Sequence, residues 1–302
     1  MNGPRSGLIY LVDASVYIRR AQHAAAPFDA VDQDGNPAHA VLGFGRFLLD
    51  LIERLRPSRI AVAFDPVSPG SFRAHIYPKY KAQREPAPVG FALQLERCFE
   101  FCRLAGIEAL RCSGYEADDV IGSLAWTMRH QGVRAALVTC DKDLAQVLRA
   151  GDIYWDYAAR EPLGYHDIER RFGAIPERFA DYLALTGDAV DNIPGVPGVG
   201  AKTAGALMRE FASLDDLYAG LERVGGLGLR GASALASRLL AHREAAFLAR
   251  RLTRIACDAP VGLENGGVRR RPRLDALESF FDRQRFGPLL RRQSQRVAEL
   301  PI

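Results

Sequence analysis

Acidic residues in this 302-residue chain recur at places where a strand ends or a turn begins. Apolar runs at 8–12 (LIYLV) and 59–64 (RIAVAF) end at Asp13 and Asp65, and a run at 135–139 (AALVT) stops just before Asp141 and Asp143. Glu116, Asp118 and Asp119 open a helical pattern after Gly114, and Asp188 and Asp191 lie three apart beside Gly187. Nine carboxylates in one place would repel one another strongly unless cations neutralised them. Oxygen donors with no His or Cys among them suit Mg²⁺ or Mn²⁺ and not Zn²⁺. Two such ions about 4 Å apart form the arrangement that hydrolyses phosphodiesters. Each group taken alone also has a plainer reading. Acids at a helix start cap it and complement its dipole, and Asp141 with Asp143 fits a solvated turn after a strand.

Two further stretches carry polar chemistry of another kind. Residues 183–204 read LALTGDAVDNIPGVPGVGAKTA, so the second carboxylate pair runs straight into a hairpin with Gly195, Gly198 and Gly200, then Lys202, Thr203 and a helical run. Glycines let a backbone turn tightly and approach a ligand. A helix starting directly after such a turn offers free N–H groups that suit a phosphate. The plainer reading is a Gly/Pro loop between helices. Residues 66–90 form a long connection in which Arg73, Lys79, Lys81 and Arg84 alternate with Phe72, Tyr77 and Tyr80. Cations among aromatics suit a single nucleic-acid strand; a connection this long is otherwise a mobile surface loop.

The elements that must hold these residues are short strands alternating with helices. Strand patterns fall at 8–12, 59–64, 106–111 and 135–139, and helical patterns at 40–55, 91–104 and 117–130. That alternation predicts an α/β fold with a mainly parallel sheet flanked by helices, in which ligands bind beyond the carboxyl ends of the strands. Further helices are predicted at 207–217, 233–248 and 274–285. The expected division is a catalytic α/β domain over 1–180, a DNA-binding subdomain over 181–262 and a helical tail over 263–302. The run Arg269, Arg270 and Arg271 reads as a solvated linker.

Composition sets outer bounds. Residues 201–302 carry 18 Lys and Arg against 11 Asp and Glu, while residues 1–200 carry 22 against 25. An acidic-leaning front and a basic back fit a metal site coupled to a polyanion-binding surface. Five cysteines with no CxxC pair give neither a disulfide framework nor a zinc site; Cys98 and Cys102 read as core. With no run of 18 apolar residues a membrane span is not expected, and the cytoplasm is the expected address.

These motifs resemble the 5′-nuclease family, which includes flap endonucleases and the 5′-nuclease domain of bacterial DNA polymerase I. GDAVDNIPGVPGVGAKTA resembles its metal-binding loop and helix-hairpin-helix, GYEADDVIG its acidic helix start, and FRAHIYPKYKAQR its arch. In TCDKDLAQV, Cys140 replaces the family's usual glycine, and between Asp65 and Phe72 the spacing is one residue longer than in polymerase-linked relatives. The resemblance covers about residues 8–261 and implies a PIN/resolvase-like fold with a helical arch and a C-terminal helix-hairpin-helix. It implies that Asp13, Asp65, Glu116 and Asp118 surround one Mg²⁺, with Asp119 in a neighbouring shell, and that Asp141, Asp143, Asp188 and Asp191 surround a second. It implies Lys81, Arg84, Tyr80 and Arg73 as catalytic arch residues, the first two for cationic stabilisation and Tyr80 for stacking on an unpaired end nucleotide. It implies Gly195, Gly198, Gly200, Lys202 and Thr203 as DNA contacts. It implies K⁺ at the hairpin, held by the carbonyls of Pro194, Val196 and Val199, with Leu185 and Thr186 beside them. The implied substrates are DNA with 5′ flaps or 5′ ends, and RNA-primer/DNA hybrids. No polymerase-sized region follows in this sequence, so a free-standing nuclease is expected, with no motif naming a polymerase or clamp partner. A non-cleaving binder of branched DNA and a ribonuclease of related fold are the rival readings.

Overall fold

Alternation of apolar side chains across two covered faces builds the central sheet. In the computed structural model, which describes residues 7–24, 30–66, 70–159, 161–229 and 231–302, β1 (Leu8–Asp13) is buried along its whole length. It pairs in parallel with β2 (Ile60–Ala63) on one side and β4 (Arg134–Val138) on the other, so that Val12 lies opposite both Val62 and Val138. β3 (Glu108–Leu110) and β5 (Ile153–Trp155) extend the sheet in parallel, and β6 (Leu163–Gly164) closes it antiparallel, in the order β3-β2-β1-β4-β5-β6. Successive side chains of a strand face opposite ways. Leu8, Tyr10 and Val12 therefore join one core with α2 (His39–Leu55) and α4 (Phe91–Leu104). Ile9 and Leu11 join the other with α5 (Ala117–His130). The helices α1 (Ala14–Ala24) and α3 (Phe72–Ile76) begin within the segments that leave β1 and β2.

The α5 core runs without a break into the second half of the chain. It includes Phe179 and Leu183 of α7 (Phe179–Thr186) and Ala246 and Leu252 of α11 (Arg243–Thr253). The boundary expected at 180/181 thus falls inside α7. The helix expected at 207–217 is two, α8 (Ala201–Glu210) and α9 (Leu214–Ala219), because Ser213 caps a new start by accepting from the amide of Asp216. The one expected at 233–248 is also two, α10 (Ala232–Ala241) and α11, meeting at His242.

The tail is part of the first domain's core. Helices α12 (Leu274–Arg283) and α13 (Pro288–Glu299) bring Phe280, Phe281 and Leu290 against α2 and α4. The solvated-linker reading of residues 269–271 is corrected at Arg269. This side chain is 1% exposed, and its guanidinium donates to the carbonyls of Val297 and Pro301, at 3.4 and 2.8 Å. Its amide and that of Arg270 donate to Ser58 and Gly106, which fasten the connection to the sheet edge.

Candidate metal centre and nucleic-acid interface

The strand ends place the first group of acids. Asp13, the last residue of β1, is 2% exposed and accepts from Thr139 Oγ1 at 2.9 Å, just past β4. Burial, then repulsion from Asp65 and Asp141, pushes its carboxyl up to about 7. Asp65 accepts from Ser15 Oγ at 2.7 Å and from the amide of Ala117 at 3.0 Å, which ties the end of β2 to the first turn of α5. Asp118, in that turn, is pushed well above the usual carboxylate range by burial and by Asp141, Asp13, Asp65 and Glu116 together. Ser15 and Thr139 escaped the sequence reading; an Asp-x-Ser word after the first strand is the signal that marks Ser15.

The second group rides on loops. Asp141 accepts from the amide of Asp143 at 2.9 Å, starting a short 3₁₀ turn. Burial, then Asp141, raises the Asp143 carboxyl to about 7, with Asp188 and Asp191 adding to the shift. Its Oδ1 is buried without a hydrogen-bond partner. Asp188 accepts from Lys142 Nζ at 2.7 Å; burial opposes its ionisation, but this lysine outweighs it and holds the carboxyl below the usual range.

Eight acids therefore share one rim and act on one another. Among the described residues no three of them are arranged to hold an ion as they stand, because the chain's own cations occupy several. The Asp143 Oδ1, which has no hydrogen bond and only the distant charge of Lys142 at 3.8 Å, and the raised carboxyls of Asp13 and Asp118 are what a cation would relieve. An all-oxygen donor set fits Mg²⁺.

Asp119 differs from its neighbours. It is 0% exposed, and both oxygens are taken by Arg73 at 2.7 Å, with the amides of Glu116 and Ala256 adding 3.0 and 2.9 Å contacts. Arg73, expected among the catalytic cations, is 3% exposed and also donates to the carbonyls of Leu252 and Arg254. The structure makes it a tie between the arch foot, α5 and the end of α11.

The arch over residues 66–90 contains one short helix, α3, followed by turns; residues 67–69, where the longer spacing falls, lie outside the described residues. Its second half lies on the 188–192 loop. The Lys81 amide donates to the Asp191 carbonyl, Gln83 Nε2 to those of Ala189 and Val190, and Asn192 Nδ2 to that of Lys79. Lys81 takes a left-handed backbone, φ 55°, and its ammonium lies 2.8 Å from Glu116 and 3.6 Å from Asp191. Burial opposes that charge, but the two carboxylates keep it protonated. Arg84 pairs with Asp191. Tyr80, expected to stack on a nucleotide, instead buries its ring and donates its hydroxyl to Glu116 at 2.9 Å.

The hairpin is built on backbone contact. Asp188 and Ile193 bridge antiparallel. Gly187 at φ 72° crosses Gly195 so closely that a Cβ on either would lie 2.5 Å from the other segment's backbone. Val196 and Val199 turn inward, leaving Gly198 and Gly200 exposed. The Val196 carbonyl accepts from the Val199 amide and that of Leu185 from the Val196 amide. Gly200 precedes α8, and Lys202 is exposed in its first turn with Thr203 half-buried beside it. Arg238 of α10, which carried no sequence signal, covers Gly198: an added Cβ there would lie 3.2 Å from its guanidinium.

A parallel sheet with an acidic rim at its carboxyl edge, backed by a glycine hairpin that opens a helix, defines a resolvase-like domain joined to a helical hairpin module. Residues 8–173 match the family described as 5′-3′ exonuclease, N-terminal resolvase-like domain, and residues 174–273 the one described as 5′-3′ exonuclease, C-terminal SAM fold. A "5′-3′ exonuclease" of Buchnera aphidicola is 31% identical over 87% of this chain and 92% of its own. The DNA polymerase I of Pseudomonas aeruginosa is 39% identical over 85% of this chain, which spans 28% of that polymerase. The bacteriophage T5 5′-exonuclease, solved with divalent zinc ions bound, shares the fold with a TM-score of 0.68 at 20% identity, over 97% of this chain and 99% of its own. The chain belongs to the 5′-3′ exonuclease family.

Proposed function

We propose that the protein is a structure-specific, two-metal 5′-nuclease that trims DNA from 5′ ends and cuts 5′ flaps in replication or repair, with RNA-primer/DNA hybrids as a further substrate. The observation that carries this reading is the rim itself: Asp13, Asp118, Asp141 and Asp143 are all pushed toward protonation, first by burial and then by neighbouring carboxylates of the rim. Only cations stabilise such a cluster in its ionised form.

Asp13, Asp65, Glu116 and Asp118 would hold one Mg²⁺, and Asp141, Asp143, Asp188 and Asp191 a second. Bound there, the ions supply Lewis-acid activation of water and charge stabilisation at the leaving 3′-oxygen, giving 5′-phosphate products. Asp119 and Arg73 position the acidic helix start and touch no substrate. Lys81 and Arg84 reach the rim and can turn from carboxylates to the phosphate, where a cation stabilises charge developing in the transition state. Tyr80 reaches a base only if the arch lifts from Glu116. The hairpin grips duplex backbone through the exposed turn at Gly198 and Gly200 and the first turn of α8, with Lys202, Thr203 and Arg238 beside them, a contact that positions without reading bases. K⁺ held by the carbonyls of Pro194, Val196 and Val199 would brace that turn.

End-labelled flap, nicked and blunt duplexes, incubated with Mg²⁺ and mapped for product length, test the proposal. Asp118→Ala and Asp141→Ala should abolish cleavage while flap binding persists. Undiminished cutting by either variant refutes the assignment, and equal cutting of matched RNA flaps favours the ribonuclease reading.

A further inference from the structure

A groove of about 530 Å³ opens at the arch foot, between α3, the start of α5 and the end of α11. Phe72 and Tyr115 line it with ring centroids 5.8 Å apart. Arg251 and Arg254 border it, both exposed and neither in an ion pair among the described residues; Asp258 is the acid that lines this groove with them, and Asp181 lies within electrostatic reach of Arg254. A second concavity of about 310 Å³ shares Arg254, Ile255 and Cys257 with the first and continues along α5 to Trp126. That indole is 49% exposed, with His130 packed on it at 3.8 Å between centroids. The other arginines of the second concavity already have partners, Arg129 with Asp152, Arg149 with Glu177 and Arg250 with Asp215. The free charge of the track is thus concentrated at Arg251 and Arg254. Tyr115 lies just before α5, and Trp126 is nine residues on from its first residue, Ala117, about 14 Å along the helix at 1.5 Å per residue.

The position of this track relative to the hairpin gives it a direction. Residues 79–84 lie on the 188–192 loop that leads into the hairpin. Phe72, at the other end of the same segment, belongs to the groove. Lys81 and Tyr80 reach Glu116 between the two, and Tyr115 is Glu116's immediate neighbour. Along this segment the contacts with the acids thus lie between those with the hairpin loop and the groove.

Exposed aromatic faces alternating with unpaired guanidiniums are how proteins hold a single strand without reading its sequence. We propose that the track receives the single-stranded DNA on the 5′ side of the scissile phosphate, after it has passed the acids. The inference rests on the nuclease reading above.

The test compares a nicked duplex, which has no flap, with 5′ flaps of one, five and fifteen nucleotides. Arg251→Ala/Arg254→Ala and Tyr115→Ala/Trp126→Ala should raise KM about 5- to 10-fold for the five- and fifteen-nucleotide flaps, with kcat unchanged and the nicked and one-nucleotide substrates cut at wild-type efficiency. A loss that is the same for all four substrates overturns the inference, because a strand path cannot matter where no strand extends. Unchanged kinetics on every substrate also overturns it and leaves the groove to a protein partner. Wild-type protein inert on all four would defeat the nuclease reading together with this one, whereas an active wild type with indifferent variants defeats this one alone.

Discussion

The two halves of the acidic rim are built differently. On the strand-end half, Asp13 and Asp65 are held by neutral donors, Thr139, Ser15 and a backbone amide. On the loop half, Asp188 and Asp191 come with cations of their own, Lys142, Lys81 and Arg84. Protonation follows: burial and repulsion push Asp13 and Asp118 up, while Lys142 outweighs burial and holds Asp188 down. Strands deliver rigid carboxylates that the protein leaves without counter-charge. The 188–192 loop delivers carboxylates already paired with side-chain cations, whereas burial keeps Asp141 and Asp143 beside it raised, like the strand-end acids.

The strongest way to break this contrast is to remove one strand-end charge. Asp13→Asn keeps one oxygen to accept from the amide of Val16, turns its NH₂ toward Thr139 Oγ1, which can accept, and deletes a buried negative charge. Cleavage should fall by at least about 10²–10³-fold, the scale for losing one preorganised electrostatic group. The metal-free variant at pH 8 should nevertheless melt higher than metal-free wild type, because a repelling charge is gone. A lower melting temperature would mean that Asp13 contributes to the fold and is not strained by it.

Arg73 is the next largest effect, on stability. Its pair with Asp119 is buried on both sides. Truncation to Ala strands a buried carboxylate, which costs about 3–5 kcal/mol and should release the arch foot from α11. Denaturant melts measure the loss, and limited proteolysis should show new cleavage near residues 70–84. A loss below about 1 kcal/mol would show that the arch foot is held by its other contacts.

Protons and metal should compete on the rim. Below about pH 4 Asp13 and Asp143 are protonated in both folded and unfolded chains. Between pH 4 and their folded values of about 7, the unfolded chain releases these protons and the folded one keeps them. Metal-free stability from these groups therefore falls as pH rises through that window. Mg²⁺ needs the ionised carboxylates, so its stabilising shift should be small at pH 5 and large at pH 8. Thermal melts with chelator or Mg²⁺ across that range measure it, and a shift independent of pH would remove the claim that these acids hold the ion.

The same contrast explains what could be read from the chain alone. Strand-end acids follow a local rule, an apolar run stopping at Asp, and four of the strands and the helices α2, α4 and α5 were placed by periodicity. β5 and β6 are three and two residues long, too short to show a period. The resemblance puts Arg73 among the catalytic residues and the basic–aromatic pattern puts it on a single strand, and that pattern is the same whether the side chain faces solvent or Asp119. Only the fold, which brings residues 73, 119 and 252 together, separates the two. Arg269 was misread for a related reason. Its neighbours in sequence are exposed, and the carbonyls that bury it come from Val297 and Pro301, about thirty residues on.

The smallest expected effect sharpens the loop half. Lys142 is 46% exposed in its side chain and meets Asp188 at 2.7 Å. An ion pair that open to solvent contributes about 0–1 kcal/mol, so Lys142→Ala should leave the melting temperature nearly unchanged. If the lysine stands in for a cation on this half of the rim, removing it frees Asp188 and takes away a competitor. Half-maximal Mg²⁺ for cleavage should then drop by up to about fivefold, the equivalent of about 1 kcal/mol, with KM for DNA unaltered. The reverse pattern, unchanged Mg²⁺ dependence with a raised KM, would put Lys142 on the phosphates. Asp188 would then be a resting partner for a substrate-binding lysine, and the contrast between the halves would narrow to Lys81 and Arg84.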